Sequence, residues 1–321
     1  MNWSSAVELA LVCAFTALVF VPFFGKPFHI DEPLFLAPAR HILVDTLHPF
    51  YFTFNWWGRS QPMAEINNTP PLFFYLLAAA MKLTGGGEWG MRLLFLPFDL
   101  LAAASLYLLA ARFLKRPLLP VLILIASPGW LVALNLLYPE KVGAAFGLFG
   151  LYAVVRGMEE RSRAWLAASA GALALALLAK YASLVFLGVA SGYAVIKRMP
   201  ARAFVAFVAA SLAPLAAWLL VDRWTGGSAL GATASGAWLA AGAPWSSPLH
   251  RLRAFLAFLG GCGTIPCLWA CWESRRRPIL LLCAAAAVIL LFSPAQDLQP
   301  ANGVDRAFGM LLSLGALIAL V

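Results

Sequence analysis

The chain has 321 residues, of which 62% are hydrophobic and 12% charged, with a mean hydropathy of +0.83 and a formal net charge of +9. So much apolar surface with so little charge excludes an ordinary soluble domain and places the chain in a lipid bilayer. The positive balance does not indicate nucleic-acid binding, because no basic patch is interleaved with exposed aromatics in a soluble segment.

The first apolar run covers residues 9 to 24. It is preceded by Glu8 and by no Lys or Arg, and Phe23-Phe24-Gly25-Lys26 is a poor cleavage site, so a retained first helix is expected rather than a signal peptide. The longest non-spanning piece follows, from residue 25 to about residue 69, and it opens on His29-Ile30-Asp31-Glu32-Pro33. Two adjacent carboxylates where a helix leaves the bilayer are costly to desolvate, which marks them for chemistry at the membrane surface. The aromatic run Phe50, Tyr51, Phe52, Phe54, Trp56 and Trp57 suits the headgroup zone. Pro70-Pro71-Leu72-Phe73-Phe74-Tyr75 then begins an apolar stretch ending at Lys82, too short for the ~20 residues of a span and expected as a helix lying in the interface. Further apolar stretches run from 93 to 111, 118 to 137, 142 to 155, 164 to 179, 181 to 196, 203 to 221, 254 to 272, 279 to 292 and 307 to 321. With flanking residues these give about nine or ten transmembrane helices, kinked or unwound at Pro97, Pro128, Pro214 and Pro266. No alternation of polar and apolar residues supports a β-barrel. The expected fold is an all-α polytopic membrane protein, residues 1–321 forming one transmembrane domain, with residues 25–92 an outer loop carrying interfacial helices and the acidic pair.

Orientation follows from the basic residues. Arg112, Lys115 and Arg116; Arg156, Arg161 and Arg163; Lys197, Arg198 and Arg202; and Arg275, Arg276 and Arg277 occupy four short connections, each separated by two helices, and hold 12 of the 23 Lys and Arg residues. Those loops are expected on the cytoplasmic side. Residues 25–92, the turn from Tyr138 to Lys141, the turn at Lys180, the loop from Asp222 to Arg253 and the segment from Gln296 to Arg306 then face outward. Cys13, Cys262, Cys267, Cys271 and Cys283 all fall in spans, without nearby His or acid in a ligand pattern. His29, Asp31 and Glu32 are three clustered ligands from one loop, too few for a metal site, so no metal or other cofactor is expected.

The ordered motifs are more specific than any one of them. A first helix leads to an outer loop opening with Asp31-Glu32, then Pro70-Pro71-Leu72 followed by aromatics, and Gly87-Glu88-Trp89-Gly90-Met91-Arg92-Leu93. Next come Ser127-Pro128, an acid at the following outer turn, and a helix ending in Ala179-Lys180-Tyr181. This order resembles the polyprenyl-phosphate-sugar-dependent glycosyltransferases of the GT-C fold, in the group of protein O-mannosyltransferases and lipid A aminoarabinose transferases. It covers roughly residues 1 to 200, and more loosely Asp305-Arg306.

The resemblance implies a GT-C-like bundle that moves a sugar from a polyprenyl-phosphate carrier to an acceptor hydroxyl of a lipid, glycan or protein, on the outer side of the membrane and without a nucleotide sugar. Asp31 matches the family's acidic position and is the expected general base. Glu32 stands beside it, able to orient an acceptor or sugar hydroxyl. The leaving lipid phosphate needs fixed cations: Lys180 is the first expected ligand, Arg306 the second, and Arg92 and Lys141 further options. Glu140 stands where relatives place an Asp and, with Tyr138 and His29, is expected to contact substrate. Departures from the family pattern are Thr69 before the double proline, Glu140 itself, and Pro33 after the acidic pair.

Each residue also has a structural reading. Glu32 can cap a short helix or pair with Arg40 or Arg59; Glu140 and Lys141 can pair with each other; Lys180 can be a helix-end lysine reaching for the interface; Asp99, inside a span, needs a partner. At the level of the whole chain, the competing readings are a transporter or flippase of lipid-linked sugars and a noncatalytic membrane subunit. The sequence has no internal repeat of the transporter kind, and its long, asymmetric first outer loop favours an enzyme. The chain stops at Val321 within an apolar stretch where relatives usually continue, so it is expected to be truncated, a compact form, or completed by a partner subunit. The Ala/Leu/Arg-rich, loop-poor composition suggests a bacterial inner membrane with the site facing the periplasm.

Overall fold

The computed structural model describes residues 3–224 apart from Ile30, Trp57 and Asn68. Arg306, Pro266, the four cysteines after Cys13 and the last three expected spans lie outside the described residues. Within them the chain forms eleven α-helices and one small hairpin. Residues 3–109 and 133–224 belong to one compact unit, and residues 110–132 to a second.

All seven apolar stretches expected in this part of the chain are helical. Four helices are long and apolar enough to cross a membrane: α1 (Trp3–Phe20), α5 (Glu88–Ala110), α8 (Pro139–Glu159) and α11 (Ala201–Trp224). The chain is therefore an integral, all-α membrane protein. α9 (Arg163–Ala179) and α10 (Leu184–Ile196) are apolar but shorter, and α6 (Leu118–Ile125) is broken from α7 (Pro128–Asn135) at Ser127-Pro128. That break falls where proline was expected to interrupt a span. Pro97 and Pro214, by contrast, sit inside α5 and α11, which continue through them. Neighbouring groups in a membrane protein can satisfy the backbone that proline frees, so proline in a span need not end it.

Before α5 the chain builds an aromatic cap. α2 (Glu32–Ile42) packs on α4 (Leu72–Thr84), and between them lie the antiparallel pair β1 (Thr53–Asn55) and β2 (Ser60–Pro62) and the single turn α3 (Met63–Ile66). α4 buries Phe73, Phe74 and Leu77 completely and stops at Gly85, whose φ of +70° is the left-handed conformation that glycine adopts without strain. Phe35 of α2 meets Phe73 edge-on, and Phe50 meets Phe74 in the same way. The aromatic run expected in the headgroup zone is thus divided: Phe50 is buried, Phe52 and Phe54 pack against this core, and Tyr51 remains exposed. Edge-to-face contacts of this kind stabilise beyond area burial by about 0.5–1.5 kcal/mol each.

α8, α9 and α10 pack through small residues. A Cβ placed on Gly147 would lie 2.3 Å from the ring of Phe186 on α10, and one on Gly150 would lie 2.8 Å from Leu173 on α9. Ser169 on α9 donates its hydroxyl to the Gly150 carbonyl at 2.7 Å. In lipid, where apolar burial gives no advantage to helix association, close approach of backbones and interhelical hydrogen bonds supply the packing energy. α9 starts at Ser162, whose side chain accepts from the Trp165 N–H.

Candidate active site

Four acids lie where α2, α5 and α8 meet, and three of them are committed. Glu32 is fully buried at the first position of α2. Its two oxygens accept from Arg92 Nη2 at 3.1 Å each, and it also accepts from the backbone N–H groups of His29 (3.1 Å) and Leu137 (2.9 Å). Arg92 is 1% exposed; its Nη1 donates to the carbonyls of Phe24 and Lys26, and its guanidinium lies 5.3 Å from the Phe28 ring. The pairing of Glu32 with Arg40 or Arg59 weighed from sequence is replaced by one with a residue 60 positions away. A charged group this deeply buried needs such a partner, and only the fold brings it.

Asp99 and Lys141 form the second buried pair. Lys141 Nζ donates to Asp99 Oδ2 at 2.8 Å, with side-chain exposures of 2% and 0%, and lies 5.8 Å from the Phe20 ring of α1. Lys141 does not pair with Glu140. Glu140 instead accepts from Lys180 Nζ, both side chains being partly exposed. Arg92 and Lys141, expected among the phosphate ligands, therefore already have their charge balanced inside the protein. Lys180 is the described candidate of the four that reaches the surface of the site.

The fourth acid is Asp31. It occupies the position before α2, yet its side chain makes no capping hydrogen bond, and among the described residues its carboxylate has neither ion-pair nor hydrogen-bond partner. It is partly buried. Its backbone N–H points to Tyr138 Oη at 3.5 Å, and Tyr138 stacks edge-on with Phe35. Burial pushes the Tyr138 phenol above its ordinary value; the Asp31 N–H opposes this, and the charges of Asp31, Glu32 and Glu140 add to it. The phenol therefore stays protonated and keeps a proton to donate.

Local sequence explains how Tyr138 and Glu140 are presented. Pro139 follows Tyr138 and disfavours helical backbone there, so Tyr138 is extended (φ −113°, ψ 151°) and α8 starts at Pro139, where a missing N–H costs nothing. Lys180 is likewise extended and ends α9. His29 sits beside the pair, its Nδ1 3.8 Å from Glu32 Oε2. The structure thus groups His29, Asp31, Glu32, Arg92, Tyr138, Glu140, Lys141 and Lys180 in one unit. Sequence reasoning missed how they are partnered. The signal it had was an arginine and an aspartate embedded in one apolar helix, α5.

Comparison with known proteins agrees with this architecture. Residues 68–224 match the model of the dolichyl-phosphate-mannose-protein mannosyltransferase family. The fold is similar to the crystal structure of ArnT from Cupriavidus metallidurans bound to undecaprenyl phosphate, with a TM-score of 0.56 at 17% sequence identity, over 99% of this chain and 60% of that one. The chain thus spans about 60% of the length of that structure. A search of curated proteins returns no match. The GT-C fold expected from the motif order is the fold the chain has.

Proposed function

We propose that the chain is a membrane glycosyltransferase that takes a sugar from a polyprenyl-phosphate carrier and joins it to the hydroxyl of a lipid, glycan or protein. The reaction occurs on the outer face of a bacterial inner membrane, with α2 and α4 at the outer interface. The observation that carries this reading is the Asp31 carboxylate. Of the four acids in the cluster it alone is left without a charged or hydrogen-bonded partner among the described residues, while its backbone N–H meets the Tyr138 phenol and the same unit holds the partly exposed Glu140–Lys180 pair. The family match over residues 68–224 and the fold shared with a protein holding a polyprenyl phosphate support the donor class in this reading.

In this reading the acceptor hydroxyl attacks the anomeric carbon from the face opposite the phosphate, with inversion. Its proton passes to Asp31 as the new carbon–oxygen bond forms. The bond to the phosphate oxygen breaks, and the electron pair leaves with the lipid phosphate. Negative charge grows on that phosphate, where Lys180 and, outside the described residues, Arg306 meet it. Tyr138, Glu140 and His29 orient hydroxyls, and no metal enters the step.

Asp31→Asn tests this directly. Membranes holding equal amounts of folded wild-type and variant protein are given labelled polyprenyl-phosphate mannose or aminoarabinose. Transfer is expected to fall by about 10²–10⁴-fold in the variant, the range for a lost general base. Equal transfer by the two proteins would remove Asp31 from the reaction.

A further inference from the structure

The two buried ion pairs share a scaffold that the chemistry above does not use. Arg92 and Asp99 both belong to α5, seven residues apart, so they lie on one face of that helix about 10.5 Å from each other along its axis. Each fixes one end of the same short segment. Arg92 holds Glu32, and Glu32 accepts from the Leu137 N–H at 2.9 Å. Asp99 holds the Lys141 ammonium at 2.8 Å. Between these two anchors lie Tyr138, Pro139 and Glu140, of which Tyr138 meets the Asp31 backbone N–H and Glu140 pairs with Lys180.

A pair such as Asp99–Lys141 is a poor source of stability, because desolvation of both charges roughly offsets their attraction; apolar residues of similar size are often as good or better. Asp99 also keeps one oxygen, Oδ1, buried without a hydrogen-bond partner among the described residues. Burial gives such a pair something apolar packing does not, a fixed direction. The ammonium must point at Oδ2, and this sets the rotation of the first turn of α8 and hence the azimuth of Glu140, the adjacent residue.

We propose that Asp99 and Lys141 are positioning residues for the transfer reaction: their ion pair sets the first turn of α8 so that the Tyr138 phenol meets the Asp31 backbone N–H and Glu140 meets the Lys180 ammonium. The inference rests on the site described under Proposed function. It adds a residue pair that touches neither sugar nor phosphate yet governs the rate.

The test uses the full chain in lipid nanodiscs and three proteins: wild type, the apolar double variant Asp99→Leu/Lys141→Met, and the reversed pair Asp99→Lys/Lys141→Asp. Two readouts are taken. One is amide hydrogen exchange of the peptide covering residues 137–141; the other is kcat and donor KM per folded molecule with labelled polyprenyl-phosphate mannose or aminoarabinose. The apolar variant is expected to melt near the wild-type temperature while its 137–141 amides exchange at least ~10-fold faster. Its kcat is expected to fall by about 10–100-fold with donor KM within about threefold, the scale set by a misplaced catalytic group. The reversed pair, which restores the ionic direction, is expected to recover exchange protection and most of kcat. If the apolar variant does not fold, recovery by the reversed pair still supports the proposal, and a folded reversed pair with unprotected amides overturns it. A folded apolar variant with wild-type exchange, or with wild-type kcat, also overturns it. Asp31→Asn is run alongside. Full activity there would sink the reading of the site, while exchange at residues 137–141 would still report on the positioning pair by itself.

Discussion

Arg92→Ala is expected to lose most of its folded protein, with a cost of about 3–5 kcal/mol, the range seen when one member of a buried ion pair is removed. The reason lies in what remains. Glu32 would keep the N–H groups of His29 and Leu137 but would be a fully buried carboxylate without a countercharge, and the carbonyls of Phe24 and Lys26 would lose their donor. Thermal melting followed by size-exclusion chromatography in detergent measures the loss. The double variant Glu32→Leu/Arg92→Met removes both charges together and is expected to regain much of the stability, because neither group is then stranded. An Arg92→Ala protein that melts with the wild type would show that the pair is solvated rather than buried.

Gly147→Ala is the second large effect. The added methyl group meets the Phe186 ring inside van der Waals contact, so α8 and α10 must separate or Phe186 must leave its rotamer. Overpacking of this kind costs about 1–3 kcal/mol, and Gly147→Val is expected to cost more. Phe186→Ala in the same chain removes the obstacle, so the cost of Gly147→Ala should shrink in that background, a coupling expected only of residues in contact. Melting temperatures of the four proteins of this cycle check it. Strictly additive shifts would mean that the two helices do not meet at this point.

The helical, membrane-embedded architecture was legible in the sequence because bilayer spans are written in composition: a run of apolar residues between basic loops needs no knowledge of tertiary contacts. Span length was less legible. α9 and α10 are too short to satisfy a length rule, and proline broke the chain at Pro128 but not at Pro97 or Pro214, since the outcome depends on which neighbours accept the freed backbone. The acidic pair at residues 31 and 32 was visible as an anomaly, but the division of labour within it was not. Glu32 and Asp31 are adjacent and chemically alike. One points to Arg92, 60 residues later, and the carboxylate of the other has no partner among the described residues, a difference created by helix packing. In the same way Lys141 and Lys180 read alike as cations at outer helix ends. Only the structure separates the lysine sealed against Asp99 from the one at the surface.

The close seam of α8, α9 and α10 bears on how the site can adapt to its substrates. Glu140 stands at the first turn of α8 and Lys180 at the end of α9, two helices whose backbones touch at Gly150 and are tied by the Ser169 hydroxyl. Helices locked at that spacing move as one body, so the distance between the roots of these two side chains is nearly constant. On the function proposed above, adjustment to a bulky lipid-linked donor would come from side-chain rotation, the Lys180 ammonium swinging from the Glu140 carboxylate to the donor phosphate while its helix stays still. On that proposal, entry of the donor would be a local exchange of ionic partners at the speed of side-chain motion rather than an opening of the bundle.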